Sequence, residues 1–256
     1  MKIRKSGKQY TTILTRADEK LLDRLVDSLK PFVKIRPLGT YQHISASDIW
    51  MRLLGQLCVR GSSSHWEKAS KNGETKKLLN LRVVLKQKDA ASYLKKTLKQ
   101  VSATRFYGKV AEDLAKILKM GTVFNDGKAT LFEGLSHHQD LNAIRDELRR
   151  RCGVFGLKSA SDFMISTGLS QDVIALDARV LGLFRDFLDL REPIGRIQNN
   201  RQMYLSVEAA LRKYCVKKSI RLAVLDRLIY QYSGKSVVSI LASNPRVKIV
   251  HSRIGN

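Results

Sequence analysis

Residues 153–168 read GVFGLKSASDFMISTG, a glycine-containing bend that runs directly into an amphipathic segment. The preceding stretch, LNAIRDELRRR (141–151), has the apolar spacing of a helix, and the segment after the bend predicts a second helix that ends near Gly168. We therefore expect two helices joined by a tight hairpin. Lys158 lies at the predicted start of the second helix, where the helix dipole favours anions over cations. This position raises the question of whether its amine has a chemical role.

The predicted hairpin has the composition of a phosphate-binding turn. Its backbone N–H groups and the positive end of the second helix together form a suitable anion site. We expect Phe155 and Leu157 to anchor the turn in the core, while Gly153 and Gly156 allow close approach of the backbone. Taken alone, the stretch more often forms an ordinary interhelical loop with a solvated lysine, and both interpretations stay open at this point.

The charge of the chain favours a polyanionic partner. Its 256 residues include 47 Lys and Arg against 23 Asp and Glu, which gives a formal charge of +24. DNA or RNA fits this balance because each neutralised phosphate releases condensed counterions, and an acidic membrane surface is the second possibility. No long apolar run predicts a membrane span. The start, MKIRKSGKQYTT (1–12), is predicted to be a flexible basic arm rather than a secretory signal.

The cysteine and histidine patterns predict no cofactor or metal site. Cys58, Cys152 and Cys215 are too few and too scattered for a disulfide framework or an iron–sulfur cluster. We expect free thiols in a cytoplasmic, nucleoid-associated protein. His137 and His138 are adjacent but have no evident third ligand, so we interpret them as solvated residues before a helix.

Most of the chain predicts helices. Apolar residues at helical spacing recur in ADEKLLDRLVDSLK (17–30), in SASDIWMRLLGQLCV (45–59) and in most later segments. The segment NGETKK (72–77) is predicted as a polar loop, and LRVVL (81–85) fits either a strand or a helix end. The fold class is therefore mainly α.

Asp177 is the second residue of chemical interest. It is the one acid in VIALDARV (173–180), nineteen residues after Lys158. One helix and a short loop fit in that interval, so the chain can double back and bring the carboxylate toward the lysine. Asp177 is also predicted to cap the helix that starts near Ala178, and a capping aspartate stays ionised.

A lysine after a glycine hairpin, followed nineteen residues later by an aspartate, resembles the helix-hairpin-helix DNA glycosylase superfamily. The resemblance is closest to the archaeal and bacterial bifunctional 8-oxoguanine glycosylase/lyases, in GLKSASDFMISTG (156–168) and ALDARVL (175–181). RFYGKVAEDLAKI (105–117) and VLDRLIYQYSG (224–234) are also similar to segments of that branch. In all, the resemblance covers about residues 45–235.

The resemblance implies a two-domain helical fold with a DNA-binding cleft between the domains. Residues 1–45 would pack with residues 170–256 as one helical domain, and residues 46–169 would form a helical barrel that ends in the helix-hairpin-helix. It implies a monomer that binds double-stranded DNA containing a damaged base, without a membrane partner or a cofactor.

The same resemblance assigns roles to individual residues. Lys158, as a neutral amine, would attack C1′ of the sugar and form a Schiff base, and β-elimination would then nick the strand. Asp177 would stabilise the positive charge that develops on the sugar. The residues expected to contact the DNA backbone around the hairpin are Gly153, Val154, Gly156, Leu157 and Arg179.

Two further segments are candidates for contacts with the bases. CVRGSSSHWEK (58–68) lies where the family inserts a wedge into the duplex, so Arg60, Ser62 and His65 are candidates to fill the gap left by the flipped base. An ordinary helix break with a cap explains this segment equally well. Trp66 and Phe163 are candidates to stack on the flipped base, although core packing is the alternative for each.

The sequence departs from the family in three places. Val154 replaces a usual hairpin glycine, Arg179 replaces a common histidine, and the tail beyond Gly234 is longer. Because the C-terminus helps to read the oxidised base in that branch, 8-oxoguanine is the leading substrate but not the only one. Two other hypotheses are a monofunctional glycosylase in which Asp177 activates water, and a non-catalytic DNA-binding protein.

Overall fold

The computed structural model describes residues 1–60 and 63–232, and this part of the chain is mainly helical. The helices in chain order are α1 (Arg16–Leu29), α2 (Ala46–Cys58), α3 (Ser64–Ala69), α4 (Gly73–Leu78), α5 (Leu81–Leu85), α6 (Ala90–Gln100), α7 (Tyr107–Met120), α8 (Leu141–Cys152), α9 (Leu157–Thr167), α10 (Ala178–Phe187), α11 (Ile194–Asn199), α12 (Arg201–Lys217) and α13 (Leu222–Tyr232). Short 3-10 helices span Lys30–Phe32 and Thr40–His43. The strands are β1 (Lys2–Ser6), β2 (Gln9–Ile13), β3 (Phe124–Asn125) and β4 (Lys128–Ala129).

The chain divides into two compact units. Among the described residues, the first unit comprises 1–38 and 164–232, and the second comprises 39–60 and 63–163. The sequence predicts a discontinuous unit of the same kind, with borders at 45/46 and 169/170. In the structure the corresponding borders lie at 38/39 and 163/164, and the border at 163/164 falls within α9.

The first unit has a helical core in which α13 contacts α1, α10 and α12. The apolar stripe predicted on α1 is confirmed, because Leu21, Leu22, Leu25, Val26 and Leu29 are all buried. Thr15 caps this helix by accepting a hydrogen bond from the Asp18 N–H, and Asp18 in turn accepts one from the Thr15 N–H. This reciprocal capping box fixes the start of α1.

The prediction of a flexible N-terminal arm is wrong. β1 and β2 form an antiparallel hairpin in which Lys2 pairs with Ile13 and Ser6 pairs with Gln9. Gly7, with a φ of +57°, provides the left-handed residue of the two-residue turn. β2 packs on α12, where the hydroxyl oxygens of Thr12 and Ser206 are 2.8 Å apart.

In the second unit, α2 contacts α5 and α7, and α6 packs along α7. Trp50 is fully buried on α2 and donates its indole N–H to the carbonyl oxygen of Leu79 over 2.7 Å. Ser45 caps α2, as its spacing from Asp48 indicates. These contacts fix the helices of the second unit, and the hairpin lies near the C-terminal end of this unit in the sequence.

Two local predictions in this unit need revision. Residues 73–78 form α4 instead of a polar loop, because the Asn72 side chain accepts hydrogen bonds from the N–H groups of Glu74 and Thr75. The ambiguous LRVVL segment is helix α5, capped in the same way by Asn80. In both places a side-chain cap starts a helix too short to show a clear apolar period.

All three cysteines are buried and carry free thiols. Burial raises the pKa of each thiol to about 12, so all three are protonated at neutral pH. Among residues 1–60 and 63–232, no helix combines the length and the apolar character needed to cross a membrane. The same residues contain no cluster of three or more His, Cys, Asp or Glu side chains arranged to hold a metal ion.

Candidate active site

The predicted hairpin is present between α8 and α9. Gly153 ends α8 in the left-handed conformation with a φ of +65°, and its N–H donates to the carbonyl oxygen of Arg149 over 2.9 Å. α9 starts immediately after Gly156, whose carbonyl oxygen accepts from the Ala160 N–H over 3.0 Å. Residues 153–156 therefore form the complete reversal between the two helices.

The hairpin is anchored through its apolar residues, as the sequence predicts. Phe155 and Leu157 are each only 6% exposed. The ring of Phe155 lies 5.4 Å from that of Phe163, which in turn stacks on Phe132 at 6.1 Å between centroids. Gly153 and Gly156, by contrast, are exposed. The turn therefore has its apolar side chains in the core and its glycine backbone at the surface.

Lys158 is the second residue of α9 and is half-buried. The helix buries Leu157, Ala160 and Ser161 on one side, and Lys158 is directed away from that buried stripe. Lys158 has no ion pair within the described part of residues 39–163. Its amine is thus available on the partly exposed side of the helix.

The start of α9 offers backbone donors without a side-chain cap. The first turn of any α-helix leaves N–H groups without intrahelical acceptors, and Gly156 has no side chain that could satisfy them. A Cβ atom at Gly156 would have no atom within 4 Å, so the space in front of the helix is open. This arrangement suits an anion that approaches the backbone closely.

Asp177 caps α10, as the sequence predicts. One carboxylate oxygen, Oδ1, accepts hydrogen bonds of 2.9 Å from the N–H groups of Arg179 and Val180. The other oxygen, Oδ2, accepts no hydrogen bond from any residue that the structure describes. Because the residue is only partly buried, this oxygen is left to interact with a ligand.

The loop that leads into Asp177 is buried and is held by polar side chains from two helices. Glu208 accepts from the N–H of Ile174 over 3.3 Å, and Asp226 accepts from the N–H of Ala175 over 2.7 Å. The Tyr204 hydroxyl donates to the Ile174 carbonyl over 2.7 Å and accepts from the Leu176 N–H over 3.2 Å.

These three side chains are almost completely buried: Glu208 and Asp226 are each 2% exposed, and Tyr204 is fully buried. They lie on the buried faces of α12 and α13 and were not predicted from the sequence. The signal that was available is an acid within an otherwise apolar helical stripe, as at Glu208 in YLSVEAAL (204–211). Buried carboxylates of this kind need partners, and here the partners are loop amides.

Arg179 follows Asp177 on the first turn of α10 and is partly exposed. Its guanidinium lies over the ring of Tyr230, 4.6 Å from the centroid. Stacking of this kind orients an arginine without neutralising its charge. Val154, the unusual hairpin residue, is also partly exposed and lies at the tip of the turn.

Arg60, at the end of α2, is fixed by an ion pair with Asp113 on α7, with 2.5 Å between Nη1 and Oδ2. The other oxygen of Asp113 pairs with Lys109 over 2.8 Å. Burial raises the pKa of Asp113, but hydrogen bonds and charge from Lys109 and Arg60 outweigh burial and hold that pKa below its usual range. Two cations thus share one buried carboxylate, which leaves the cluster with a net positive charge.

The remaining predicted contact residues lie in different environments. Ser62 lies outside the described residues, as does the end of the 224–234 segment beyond Tyr232. His65 is exposed on α3 and lines a groove of about 700 Å³ together with Lys68 and Asn72.

The two aromatic candidates for base stacking are core residues in this structure. Trp66 is 9% exposed and its indole lies against Gly55, where an added Cβ would be 3.0 Å from Nε1. Phe163 has no exposed surface and packs between Phe155 and Phe132. A base could not reach the Phe163 ring unless this aromatic cluster opened.

Lys158 belongs to the second unit and Asp177 to the first. Each is placed by its own unit: Lys158 by the anchored hairpin, and Asp177 by the buried loop and its cap. Their approach to a common substrate atom stays a prediction.

Comparison with known proteins yields two relevant solved structures. The 8-oxoguanine glycosylase/lyase of Methanocaldococcus jannaschii, solved with 15mer DNA containing 8-oxoguanine, aligns with a TM-score of 0.58 and 19% identity over 85% of this chain and 92% of its own. The 8-oxoguanine DNA glycosylase of Thermotoga maritima aligns with a TM-score of 0.59 and 24% identity over 85% of this chain and 96% of its own.

No family model matches the sequence, and no curated protein matches it significantly. The similarity therefore lies in the three-dimensional arrangement, and it extends over nearly the whole length of both solved proteins. The chain shares the mainly helical fold of these two solved structures.

Proposed function

We propose that this protein is a DNA glycosylase with AP lyase activity, and that 8-oxoguanine is its leading substrate. The observation that carries the proposal is the position of Lys158 on the first turn of the second hairpin helix, in a chain with the glycosylase fold. The partner is double-stranded DNA with a damaged base, bound by a monomer in the cytoplasm. The charge of +24 is what such a partner requires.

The hairpin binds a phosphate of the damaged strand. Gly156 leaves open space before α9, and the free backbone donors of its first turn meet the phosphate oxygens. Gly153, Val154 and Leu157 shape the turn. Such contacts carry no sequence information but set the register of the protein on the duplex.

Lys158 then acts as the nucleophile. Its neutral amine attacks C1′ of the flipped nucleotide, and the bond from C1′ to the base breaks as the electron pair leaves with the base, which takes up a proton. The attached amine loses one proton, and its lone pair then opens the sugar ring, whose O4′ takes up a proton, to give the protonated Schiff base. Removal of a C2′ proton then expels the 3′ phosphate, and hydrolysis of the imine releases the enzyme.

Asp177 stabilises the cationic sugar during base release. Its Oδ1 is engaged by the α10 amides, and its Oδ2 is the oxygen available to the substrate. A carboxylate fixed before the reaction stabilises developing charge without having to reorganise. Arg179, whose guanidinium lies over Tyr230, is the proposed contact with a phosphate beside Asp177.

Arg60, Ser62 and His65 are the proposed contacts with the gap that the flipped base leaves. Arg60 is the best defined of the three because Asp113 fixes its guanidinium at the end of α2. The identity of the damaged base is tested with a panel of duplexes that contain oxidised, deaminated or alkylated bases.

The decisive experiment is borohydride trapping on these duplexes with the wild type, Lys158→Gln and Lys96→Gln. Lys96 is an exposed lysine on α6 and serves as a charge-matched control. We expect a covalent adduct with the wild type and the control, and a loss of at least about 10³-fold with Lys158→Gln, the scale for removal of a nucleophile.

The other outcomes separate the competing hypotheses. Base release without a trapped adduct in the wild type would indicate a monofunctional glycosylase in which Asp177 activates water. Tight binding without base release on any duplex of the panel would indicate a non-catalytic DNA-binding protein. An adduct that persists in Lys158→Gln would assign the nucleophile to another residue.

A further inference from the structure

The β1–β2 ribbon has one face that is not used in packing. Side chains that pair across the ribbon lie on the same face, so Lys2/Ile13, Arg4/Thr11 and Ser6/Gln9 share one face, and Ile3/Thr12 and Lys5/Tyr10 share the other. The face with Thr12 is partly buried and faces Ser206 of α12. Every residue of the opposite face is exposed. We call this exposed face, together with Lys8 of the turn, the ribbon face.

The ribbon face is basic. Its cations are Lys2, Arg4 and Lys8, and the first acid of the chain is Asp18. Arg4 and Lys8 have no ion pair with any residue that the structure describes. Lys2 lies close enough to Asp189 to help lower the pKa of that carboxyl, although the main cause is the hydrogen bond from Arg191. Arg4 and Lys8 are therefore the cations with the most available charge.

The other residues of this face are hydrogen-bonding groups. Ser6, Gln9 and Thr11 surround Arg4 on the same exposed surface. Arg, Lys, Ser, Thr and Gln are the side chains that contact phosphate and sugar in protein–DNA complexes. A two-stranded ribbon also has dimensions that the major groove of B-DNA admits.

We propose that the ribbon face is a second DNA-binding surface, which holds the duplex through its phosphates independently of the hairpin. The proposal rests on the proposed function only in taking duplex DNA as the partner. Charge complementarity selects this partner, since an uncompensated basic face on a chain of charge +24 has its natural counterpart in a polyphosphate backbone.

The ribbon is held in place by packing instead of being a disordered tail. β2 contacts α12, and Thr12 is fixed against Ser206. Its phosphate contacts therefore cost little ordering entropy on binding, which is the advantage of a preorganised surface over a flexible basic arm.

The test compares two double variants of the full chain. Arg4→Gln/Lys8→Gln removes one arginine and one lysine from the ribbon face. Arg185→Gln/Lys217→Gln removes the same residue types from exposed sites of the same unit where each is ion-paired, with Asp186 and Glu19 respectively. Both variants lower the net charge equally, so a difference between them reports the location of the charge.

Binding is measured on an undamaged duplex as a function of salt concentration. Each lost phosphate contact lowers the slope of log affinity against log salt by about 0.9, so the ribbon variant is expected to lose about 1.8. The ratio of wild-type affinity to the affinity of the ribbon variant should then fall about tenfold as the salt concentration rises from about 50 to about 200 mM. The control variant should keep the wild-type slope.

Because the duplex is undamaged, this result does not depend on catalysis. If the ribbon proposal is right, single-turnover base release by Arg4→Gln/Lys8→Gln at saturating lesion DNA equals that of the wild type. If the glycosylase proposal fails instead, no variant releases a base, but the difference in salt slope is still seen.

Three outcomes would overturn the ribbon proposal. The first is an equal salt slope for the ribbon and control variants, with unchanged thermal melting for both. The second is a deficit seen only with duplex RNA or with phosphatidylserine vesicles used in place of DNA. The third is unchanged DNA affinity combined with self-association of the ribbon variant, which would show that the charges only protect the exposed β1 edge from pairing with another strand.

Discussion

The hairpin at 153–157 and the loop at 173–177 differ in what they do with their backbone N–H groups. The hairpin keeps its apolar side chains in the core and its glycine backbone exposed. The loop buries residues 173–176, and Glu208, Asp226 and Tyr204 accept hydrogen bonds from the N–H groups of residues 174–176. The hairpin therefore leaves backbone N–H donors for a ligand, whereas the loop uses its N–H groups in hydrogen bonds that hold it rigid.

This difference fits the residue that each region positions, Lys158 after the hairpin and Asp177 at the end of the loop. In the proposed mechanism Lys158 loses a proton, attacks and forms an imine, and a partly exposed side chain on an anchored helix suits that role. In the same mechanism Asp177 has to stay in one position, and a buried loop with a helix cap holds it there. The comparison predicts that changes around Asp177 affect catalysis through geometry, whereas changes at the hairpin affect DNA binding.

Among the changes that test this comparison, Asp177→Asn is expected to have the largest effect. Asparagine keeps an oxygen that can cap α10 but lacks the negative charge, so the fold persists while the cationic sugar loses its stabilising partner. We expect base release to slow by about 10²–10³-fold. Single-turnover kinetics at saturating lesion DNA measure this rate, and anisotropy on the same duplex should show nearly wild-type affinity. Unchanged base release would remove Asp177 from the mechanism.

The next largest effect concerns the hydrogen bonds that hold the loop before Asp177. Asp226→Ala leaves the buried N–H of Ala175 without its acceptor, so the free energy of unfolding should fall by about 2–3 kcal/mol. Base release should fall as well, since the loop that leads to Asp177 loosens. Asp226→Asn is the matched control because it restores an acceptor of the same size.

Urea denaturation of the two Asp226 variants decides this point. Recovery of most of the lost stability by Asp226→Asn is the expected result. If the alanine variant is as stable as the wild type, or the asparagine variant is no better than alanine, the loop does not depend on this hydrogen bond.

The smallest effects separate the two hairpin glycines. Gly153→Ala places a Cβ at a φ of +65° and 3.0 Å from the Met120 sulfur, so it should cost about 1–2 kcal/mol of stability. Gly156→Ala meets no atom within 4 Å and has no left-handed backbone, so stability should stay the same or rise by up to about 1 kcal/mol.

DNA affinity should rank the two glycine variants differently from stability. The new methyl of Gly156→Ala lies where the proposed phosphate approaches, so this variant should bind the duplex more weakly despite its intact fold. Thermal melting and anisotropy on the same samples give both values. Wild-type affinity for Gly156→Ala would place the phosphate elsewhere.

Several elements could be predicted from the sequence because their causes are local. The α1 stripe, the Ser45 cap, the hairpin anchors Phe155 and Leu157, and the Asp177 cap all follow from spacing within one segment. The β1–β2 ribbon was missed although a signal was present: Gly-Lys separates two five-residue segments, and the second, QYTTI (9–13), is rich in strand-forming residues.

Other features have no local cause and could not be predicted. The Arg60–Asp113–Lys109 cluster joins α2 and α7, and the buried acceptors for the 173–177 loop come from α12 and α13. A carboxylate in a helical stripe looks the same in sequence whether it faces solvent or a buried amide. Only the packing of distant segments decides which of the two it meets.

By itself, the sequence determined the helical class, the hairpin, the strongly positive net charge, and the identity of the two residues proposed for the chemistry. Helix stripes, caps and turns depend on residues a few positions apart, and net charge depends on composition alone. The tertiary structure decided that the basic N-terminus is a docked ribbon, that Phe163 is a core residue, and that Asp177 stands on a buried polar support. These outcomes depend on which distant surfaces exclude water from one another, and that is settled only when the whole chain has packed.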